Sequence, residues 1–471
     1  MTAIGGEGDA WLQPGEGASM RGLTAAQSIM LAGLVTDIGY CLFRAPSLTQ
    51  AVLHLVVVLA FLLSATCKLC LAALGRPTQS FPTQGPGARM EARLPTYTVV
   101  AALYREAKVA AQLVAAIQAL DYPADRLQVI LVLERGDEET LGALAWLNLP
   151  HYFEVLVNPP GGPRTKPNAL NAALPLALGR FLTIYDAEDV PGPGQLKEAA
   201  AYFAEHPDVG CVQAPLRIGN ARSGFLARQF AIEYAGQFEA ILPGIVRTGA
   251  PFPLGGTSNH FRTSLLRRLG GWDPYNVTED ADLGLRIGQS GWRMGLIAAP
   301  TREDAPTRFA DWLPQRSRWV KGYIQTWGVH MRDPFSMSLR GFLTLQVTLG
   351  AAIVGAALHA PLVLMLAAEV TTNLMSGLIP LSTWADVGVL MLGWGMAVMA
   401  NAIGAARAGL RMTTRDALAS LAYWPLQTLA FLYALRQLVA DPYRWDKTPH
   451  EPVTPRALLD ERAPWRVSRE A

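Results

Sequence analysis

The sequence predicts an α/β domain built on a parallel, doubly wound sheet and set between membrane-spanning helices. Three observations predict it. From Pro95 to about Ile297, short apolar strand-like runs alternate with stretches of helical periodicity, the signature of a parallel sheet with crossover helices. Before and after that region lie apolar runs near the twenty residues that cross a bilayer. Of the 471 residues, 51 % are hydrophobic and 17 % charged, against about 25 % charged in average soluble domains.

The elements follow in order. Residues 1–22 are Gly-rich and acidic, the reverse of a basic signal-peptide start, and are expected to form a disordered cytosolic tail. Residues 23–75 hold two spans, Thr24 to Phe43 and Ala51 to Leu74, joined across Arg44–Gln50 as a hairpin. Lys68, Arg76, Arg89 and Arg93 at the far end assign that end to the cytoplasm. Residues 76–95, rich in Pro and Gly, read as a linker. The soluble α/β domain is assigned to residues 96–300. Its strands are Thr98–Leu103, Val129–Leu133, Phe153–Val157 and Phe181–Ile184, and its helices Ala107–Leu120, Asp137–Leu147 and Ala169–Leu178. Residues 301–340 read as interfacial helices and 341–440 as a C-terminal membrane region. There Phe342–Ala368 and Ala385–Ala406 span, with Glu369–Ala385 outside and Arg407, Arg411 and Arg415 inside. The run Ala417–Val439 is broken by Trp424-Pro425, and a re-entrant or hairpin segment would reconcile it with an Arg-rich tail, 441–471. The expected setting is the inner (plasma) membrane, multi-pass, with the domain cytoplasmic and lipids as neighbours.

The net charge of +2 gives no support for nucleic acid as a partner. Of 4 cysteines, Cys67 and Cys70 have metal or redox spacing, but they lie in an apolar helix and read as structural.

In an open α/β sheet, ligands bind beyond the carboxyl ends of the strands. Tyr104-Arg105-Glu106 follow the first strand, Glu134-Arg135-Gly136-Asp137 the second, and Asp186-Ala187-Glu188-Asp189 the fourth. Acids there can hold a hard divalent cation or accept hydrogen bonds from a nucleoside, though Glu106 and Asp137 read equally as helix caps. The loop Gly161–Asn168 carries Lys166 before a helix, a setting that suits phosphate. Gly255-Gly256 permits close backbone approach to a ligand. Thr278 is a good N-cap for a helix of about eleven residues, with Asp280 in its first turn. The helix dipole keeps a carboxylate there ionised, fit to take a proton; capping is the plainer role. Asp311-Trp312-Leu313-Pro314 opens another helix, on which Gln315, Arg318 and Trp319 share a face. Arg there can bind diphosphate and Trp a sugar ring; headgroup anchoring is the other reading.

Taken in order, Asp186-Ala187-Glu188-Asp189, Gly255-Gly256-Thr257-Ser258-Asn259, Thr278-Glu279-Asp280 and Gln315-x-x-Arg318-Trp319, between membrane spans, resemble the processive family 2 glycosyltransferases. That group includes bacterial cellulose synthase, hyaluronan synthase and chitin synthase. The resemblance covers about Thr96 to Asp333. It implies a GT-A (nucleotide-diphospho-sugar transferase, Rossmann-like) fold and an inverting hexosyltransferase that uses a nucleotide-diphosphate sugar with Mg²⁺ or Mn²⁺. By motif, Asp186 and Glu188 match the Asp-x-Asp metal signature, and Asp280 matches the catalytic base. Gln315, Arg318 and Trp319 match the diphosphate and acceptor motif, with Gly256, Thr257 and Glu279 beside it. Glu106, Glu134, Asp137 and Lys166 fall around the nucleotide. Asp189 stands beside Glu188, so the second metal ligand is open between them.

The activity this implies is extension of a β-linked polysaccharide, with export through the chain's own helices or by further partners. The rival readings are transfer of one sugar to a membrane lipid and a non-catalytic scaffold or transport subunit. No regulatory domain is expected after the last helices, and Trp445-Asp446-Lys447-Thr448-Pro449-His450 resembles a short signature of exopolysaccharide synthases.

Overall fold

Ten strands are numbered in chain order: β1 Tyr97–Leu103, β2 Leu127–Leu133, β3 Phe153–Val157, β4 Phe181–Ile184, β5 Val190–Pro191, β6 Val209–Gln213, β7 Leu216–Ile218, β8 Asn259–Arg262, β9 Arg293–Leu296 and β10 Thr301–Glu303. They belong to a computed structural model that describes residue 19 and residues 22–81, 94–377 and 379–443. Most of the expected N-terminal tail, linker residues 82–93 and the Trp445–His450 stretch lie outside the described residues.

Seven strands form the main sheet, ordered β3-β2-β1-β4-β8-β6-β9; β5, β10 and β7 form a small second sheet. β1 pairs in parallel with both β2 and β4. The chain therefore winds outward through β2 and β3, then returns to the other side of β1. That reversal between β1 and β4 is the switch point where such folds bind ligands. The sheet is mostly parallel, not wholly so: β8 runs antiparallel to β4 and β6. Its Asn259 pairs with Ile184 at the carboxyl end of β4, so the preceding loop, Gly255 to Ser258, is delivered into the ligand crevice.

The apolar runs become central strands because both faces are covered. Val99, Leu113, Ile117, Val129 and Leu131 pack on one side. Val100, Ile130, Val132, Leu182 and Leu170 pack on the other. Each such fully buried aliphatic side chain contributes about 1.5–3 kcal/mol. Helix bounds differ from the periodicity by a few residues. Lys166–Ala173 starts at Lys166. Phe309–His330 starts before Pro314, which lies inside it. Thr278 holds the N-cap position of Glu279–Gln289 without a capping hydrogen bond; its hydroxyl meets Asn276 and Thr326 instead.

Among the described residues, five helices are long and apolar enough to cross a membrane: Ala25–Arg44, Pro46–Leu74, Leu339–Met375, Leu381–Arg407 and Thr414–Ala440. The first two are separated by Ala45 alone, much tighter than the Arg44–Gln50 link expected. The Glu369–Ala385 connection shrinks likewise, to residues 376–380. Thr414–Ala440 is two helices, Thr414–Tyr423 and Leu426–Ala440, broken at Trp424-Pro425. One end is tied to the α/β domain and the other to the helix Phe309–His330. Arg228 donates to both oxygens of Asp416 at 2.9 Å, while Gln325 donates to the Pro442 carbonyl at 3.0 Å. The membrane helices are fused to the domain by close approach: a Cβ at Gly244 would overlap the Leu71 backbone, and one at Gly404 the Ala235 carbonyl.

Candidate active site

The crevice at the β1/β4 switch opens into a cavity of about 580 Å³. Its floor contains Glu106, Glu134, Lys166, Asp186, Glu188, Gly256, Thr257, Glu279, Asp280, Gln315, Arg318 and Trp319, which the motifs singled out. These residues come from seven separate chain segments, and only the fold brings them together.

Two backbone positions show how tightly the crevice is set. Arg105, at the end of β1, has a φ of 55°, and Ser258, before β8, one of 57°. The left-handed region is costly for such residues and persists where surroundings hold it. Arg105 N–H donates to Asp137 Oδ2 at 2.5 Å; Ser258 N–H donates to the Ile184 carbonyl at 2.9 Å. Asp137 also accepts from Thr140 N–H at 3.2 Å, capping its helix. Asp137 is buried and braces the strand-end loop; it does not line the cavity.

The acidic run after β4 divides by direction. Asp186 faces the cavity at 28 % exposure and is ion-paired with the Lys166 ammonium. Lys166 also donates to the Gly256 carbonyl at 2.6 Å. Burial would lower the Lys166 pKa, but Asp186, then Glu279 and Asp280, outweigh it and hold the ammonium above its ordinary value. Glu188 lines the same cavity. Asp189 turns inward: its Oδ2 accepts from the Asp186 N–H at 2.6 Å and from the Thr257 hydroxyl. Burial, then the charges of Asp186 and Glu188, raise its carboxyl well above the usual range.

Gly256 sits between the two acid groups. A Cβ there would lie 3.5 Å from Asp280 Oδ2 and 3.9 Å from Asp186 Oδ2. Burial pushes the Asp280 carboxyl up to about 6, against the lowering pull of the Ala281 N–H, Lys166 and Arg318. Burial and then Asp280 push Glu279 up to about 8. The two acids therefore differ in charge at neutral pH, an arrangement that separates a proton acceptor from a neutral neighbour.

Gln315, Arg318 and Trp319 reach the cavity from Phe309–His330. Gln315 Oε1 is buried without a hydrogen-bond partner, an acceptor aimed into space that a ligand hydroxyl can fill. Trp319 stacks on Tyr234 with ring centroids 6.1 Å apart. Sequence reasoning missed Arg316. It donates to both oxygens of Glu233 at 2.7 Å and to the Tyr423 hydroxyl at 2.9 Å. Its guanidinium lies 4.3 Å from the Phe230 ring centre. The i, i+4 pair Trp312 and Arg316 was the available signal. A second clamp joins the two helices: Asp282 accepts from Arg286 at 2.7 Å and meets His330 Nε2 at 3.0 Å.

Among the described residues no three His, Cys, Asp or Glu side chains are arranged to hold a metal by themselves. Two cavity-facing carboxylates, Asp186 and Glu188, nonetheless suit a hard cation that takes one or two carboxylates and completes its shell with phosphate and water.

Residues 94–322 match the family model described as "Glycosyltransferase like family 2". Beta-monoglucosyldiacylglycerol synthase of Synechocystis sp. is 28 % identical over 304 residues, 61 % of this chain and 63 % of that protein. "Probable glucomannan 4-beta-mannosyltransferase 3" of Oryza sativa is 27 % identical over 237 residues, 48 % of this chain and 43 % of that protein. The chain thus spans less than two thirds of these curated relatives. Among solved structures, the mannosyltransferase PcManGT of Pyrobaculum calidifontis, in complex with GDP-Man and Mn²⁺, superposes with a TM-score of 0.51. Identity is 20 %, with 83 % of this chain and 97 % of that chain covered, a likeness of fold. The matched segment supports a family 2 glycosyltransferase domain over residues 94–322, and the solved neighbour shares its GT-A fold.

Proposed function

We propose that this chain is an inverting hexosyltransferase that moves a sugar from a nucleotide-diphosphate sugar to a hydroxyl of a membrane lipid. The observation that carries the reading is one cavity shared by catalytic-type acids and membrane helices. Asp186, Lys166, Gly256 and Asp280 line it together with Phe61, Ala65, Gly393 and Ala397.

Asp280 is the base. The acceptor oxygen attacks the anomeric carbon, its proton passes to Asp280, and the bond to the diphosphate oxygen breaks from the opposite side. Lys166 and Arg318 face the departing diphosphate, an electrostatic role worth most in a water-poor site. Lys166 stands in the first helical turn, where backbone N–H groups and the dipole also favour phosphate. Gln315 and Trp319 orient the sugar or acceptor. Glu106 and Glu134, at the ends of β1 and β2, take the nucleoside side. Asp186 and Glu188 would hold Mg²⁺ or Mn²⁺, with Asp189 bracing their loop from behind. The metal supplies charge neutralisation for the leaving diphosphate when bound.

The polysaccharide reading rests on motif order. Cavity depth favours the lipid. Its walls use residues 61–68 of Pro46–Leu74, 393–401 of Leu381–Arg407 and 347–359 of Leu339–Met375. They reach from the domain side to about the midpoint of each helix. Residues 61–68 rise about 10 Å, against about 30 Å of hydrocarbon. A cleft that ends near mid-membrane suits a lipid entering from one leaflet better than a polymer leaving through both.

The same reading gives four spans, a cytoplasmic domain and a re-entrant Thr414–Ala440, since one end of that segment meets Arg228 of the domain and the other meets Gln325 of Phe309–His330. The test is to incubate the purified full chain in lipid vesicles with radiolabelled nucleotide sugars and size the product. A single-sugar lipid is expected; label recovered in a long polymer overturns the lipid reading.

A further inference from the structure

One basic side chain in the membrane half of the cavity has no part in the chemistry above. Lys68 lies on the apolar helix Pro46–Leu74, about 9 Å from its domain end. It lines the cavity that also holds Asp280 and Arg318. A lysine at the end of a span commonly reaches along the bundle surface to the headgroups. Lys68 instead contributes to the wall of an internal cleft, one turn from Ser64 and Ala65. Ionisable groups at that depth are costly and usually serve a ligand or a partner.

Glu233 stands close enough to act on its charge. Glu233 is already neutralised: both its oxygens accept from Arg316 at 2.7 Å, and one also accepts from Tyr423 at 3.1 Å. The cleft therefore presents a positive charge between the acids below and the apolar walls above. Those walls are mainly apolar, from Phe61, Ala65, Leu349, Ala352, Ala356, Gly393 and Ala397, with Ser64, Thr348, His359 and Asn401 among them.

We propose that the lipid acceptor is anionic: its phosphate pairs with Lys68, its acyl chains lie between residues 61–68, 347–359 and 393–401, and its free hydroxyl reaches Asp280. This rests on the lipid reading above and adds the charge of the acceptor. The acceptor oxygen gains the bond to the anomeric carbon, the nucleoside diphosphate leaves with the electron pair of the broken bond, and the hydroxyl proton goes to Asp280. The lipid phosphate is unchanged.

The experiment uses the full chain in phosphatidylcholine vesicles containing either phosphatidylglycerol or diacylglycerol at matched mole fraction, with the nucleotide sugar that supports turnover. The readout is the ratio of kcat/KM for the two acceptors. Wild type is expected to favour phosphatidylglycerol. Lys68→Met, which keeps the apolar stem, should lower that ratio by about tenfold, the scale of one charge-assisted contact. Lys68→Arg should keep it. Because the ratio is internal, loss of active protein does not move it. A wild-type preference for diacylglycerol, or a ratio unchanged in Lys68→Met, overturns the proposal while leaving the lipid reading standing. If neither lipid is glycosylated and label appears in a polymer, both fall together.

Discussion

Asp280→Asn isolates the proposed base. The amide is nearly isosteric, so the first turn of Glu279–Gln289 keeps its packing, while the group can no longer take the acceptor proton. Positioned general bases contribute about 10²–10⁴ in rate, or about 3–5 kcal/mol of transition-state stabilisation. Donor binding rests on other groups: Lys166, in contact with Asp186 and the Gly256 carbonyl, and Arg318. Nucleotide affinity should therefore change by less than about threefold while transfer falls at least about a hundredfold. The pH profile adds a signature. The Asp280 pKa is raised to about 6, by burial first, so the group is protonated and inactive as a base below that pH. In wild type, kcat/KM, which reports the free enzyme, should rise with pH through about 6. The variant should lack that limb. Product formation and nucleotide binding by calorimetry, measured on the same preparation, decide the matter. Turnover near wild type would remove Asp280 from the mechanism, and loss of nucleotide affinity in step with activity would make it a binding group.

Glu279 is raised to about 8, so it is largely neutral at pH 7; Glu279→Gln should cost less than about tenfold in kcat there, with wild type and variant diverging as pH rises through 8 and only wild type gains charge. Asp186→Asn and Glu188→Gln should each weaken Mn²⁺ binding in the presence of nucleoside diphosphate by at least about tenfold, read by calorimetry. Asp189→Ala should instead destabilise the fold by about 2–4 kcal/mol, because the Asp186 N–H and the Thr257 hydroxyl lose their acceptor. Arg316→Met leaves Glu233 without its main partner; Glu233 is 38 % exposed, so the cost is near the lower end for such pairs, about 3 kcal/mol, seen as a drop in thermal midpoint in detergent.

The strands were legible because β1, β2 and β4 are uninterrupted apolar runs ending in charged residues. The carboxyl-end rule then pointed to Glu106, Glu134 and Asp186 without any structure. Strand order was not legible, since nothing local tells β4 to pair with β1, or β8 to enter antiparallel. Side-chain direction was equally hidden. Asp137 and Asp189 stand in acidic runs like their neighbours, but their oxygens go to Arg105, Thr140, Asp186 and Thr257, contacts set by chain arriving from elsewhere. Thr414–Ala440 has the hydropathy of a span. Its turning back depends on Pro442 meeting Gln325, 117 residues away in sequence.

Gln315-Arg316-Ser317-Arg318-Trp319 shows why motif and fold need each other. Two arginines spaced by two residues on a helix lie about 200° apart. They leave the helix in different directions. Both border the cavity, but the Arg316 guanidinium is committed to Glu233, Tyr423 and the Phe230 ring. Farther along, His330 meets Asp282 on the helix that carries Asp280. Phe309–His330 is therefore fixed at three places: to the domain helix bearing Glu233, to the membrane-side helix bearing Tyr423, and to the proposed base's own helix. A displacement of the membrane-side helices would reach Gln315, Arg318 and Trp319 through Arg316 before it reached the nucleotide end of the crevice. Arg316 thus links the membrane-side helices to the helix that carries Gln315, Arg318 and Trp319. A loss there should change acceptor KM before donor KM, an order that a purely local role in stability would not produce.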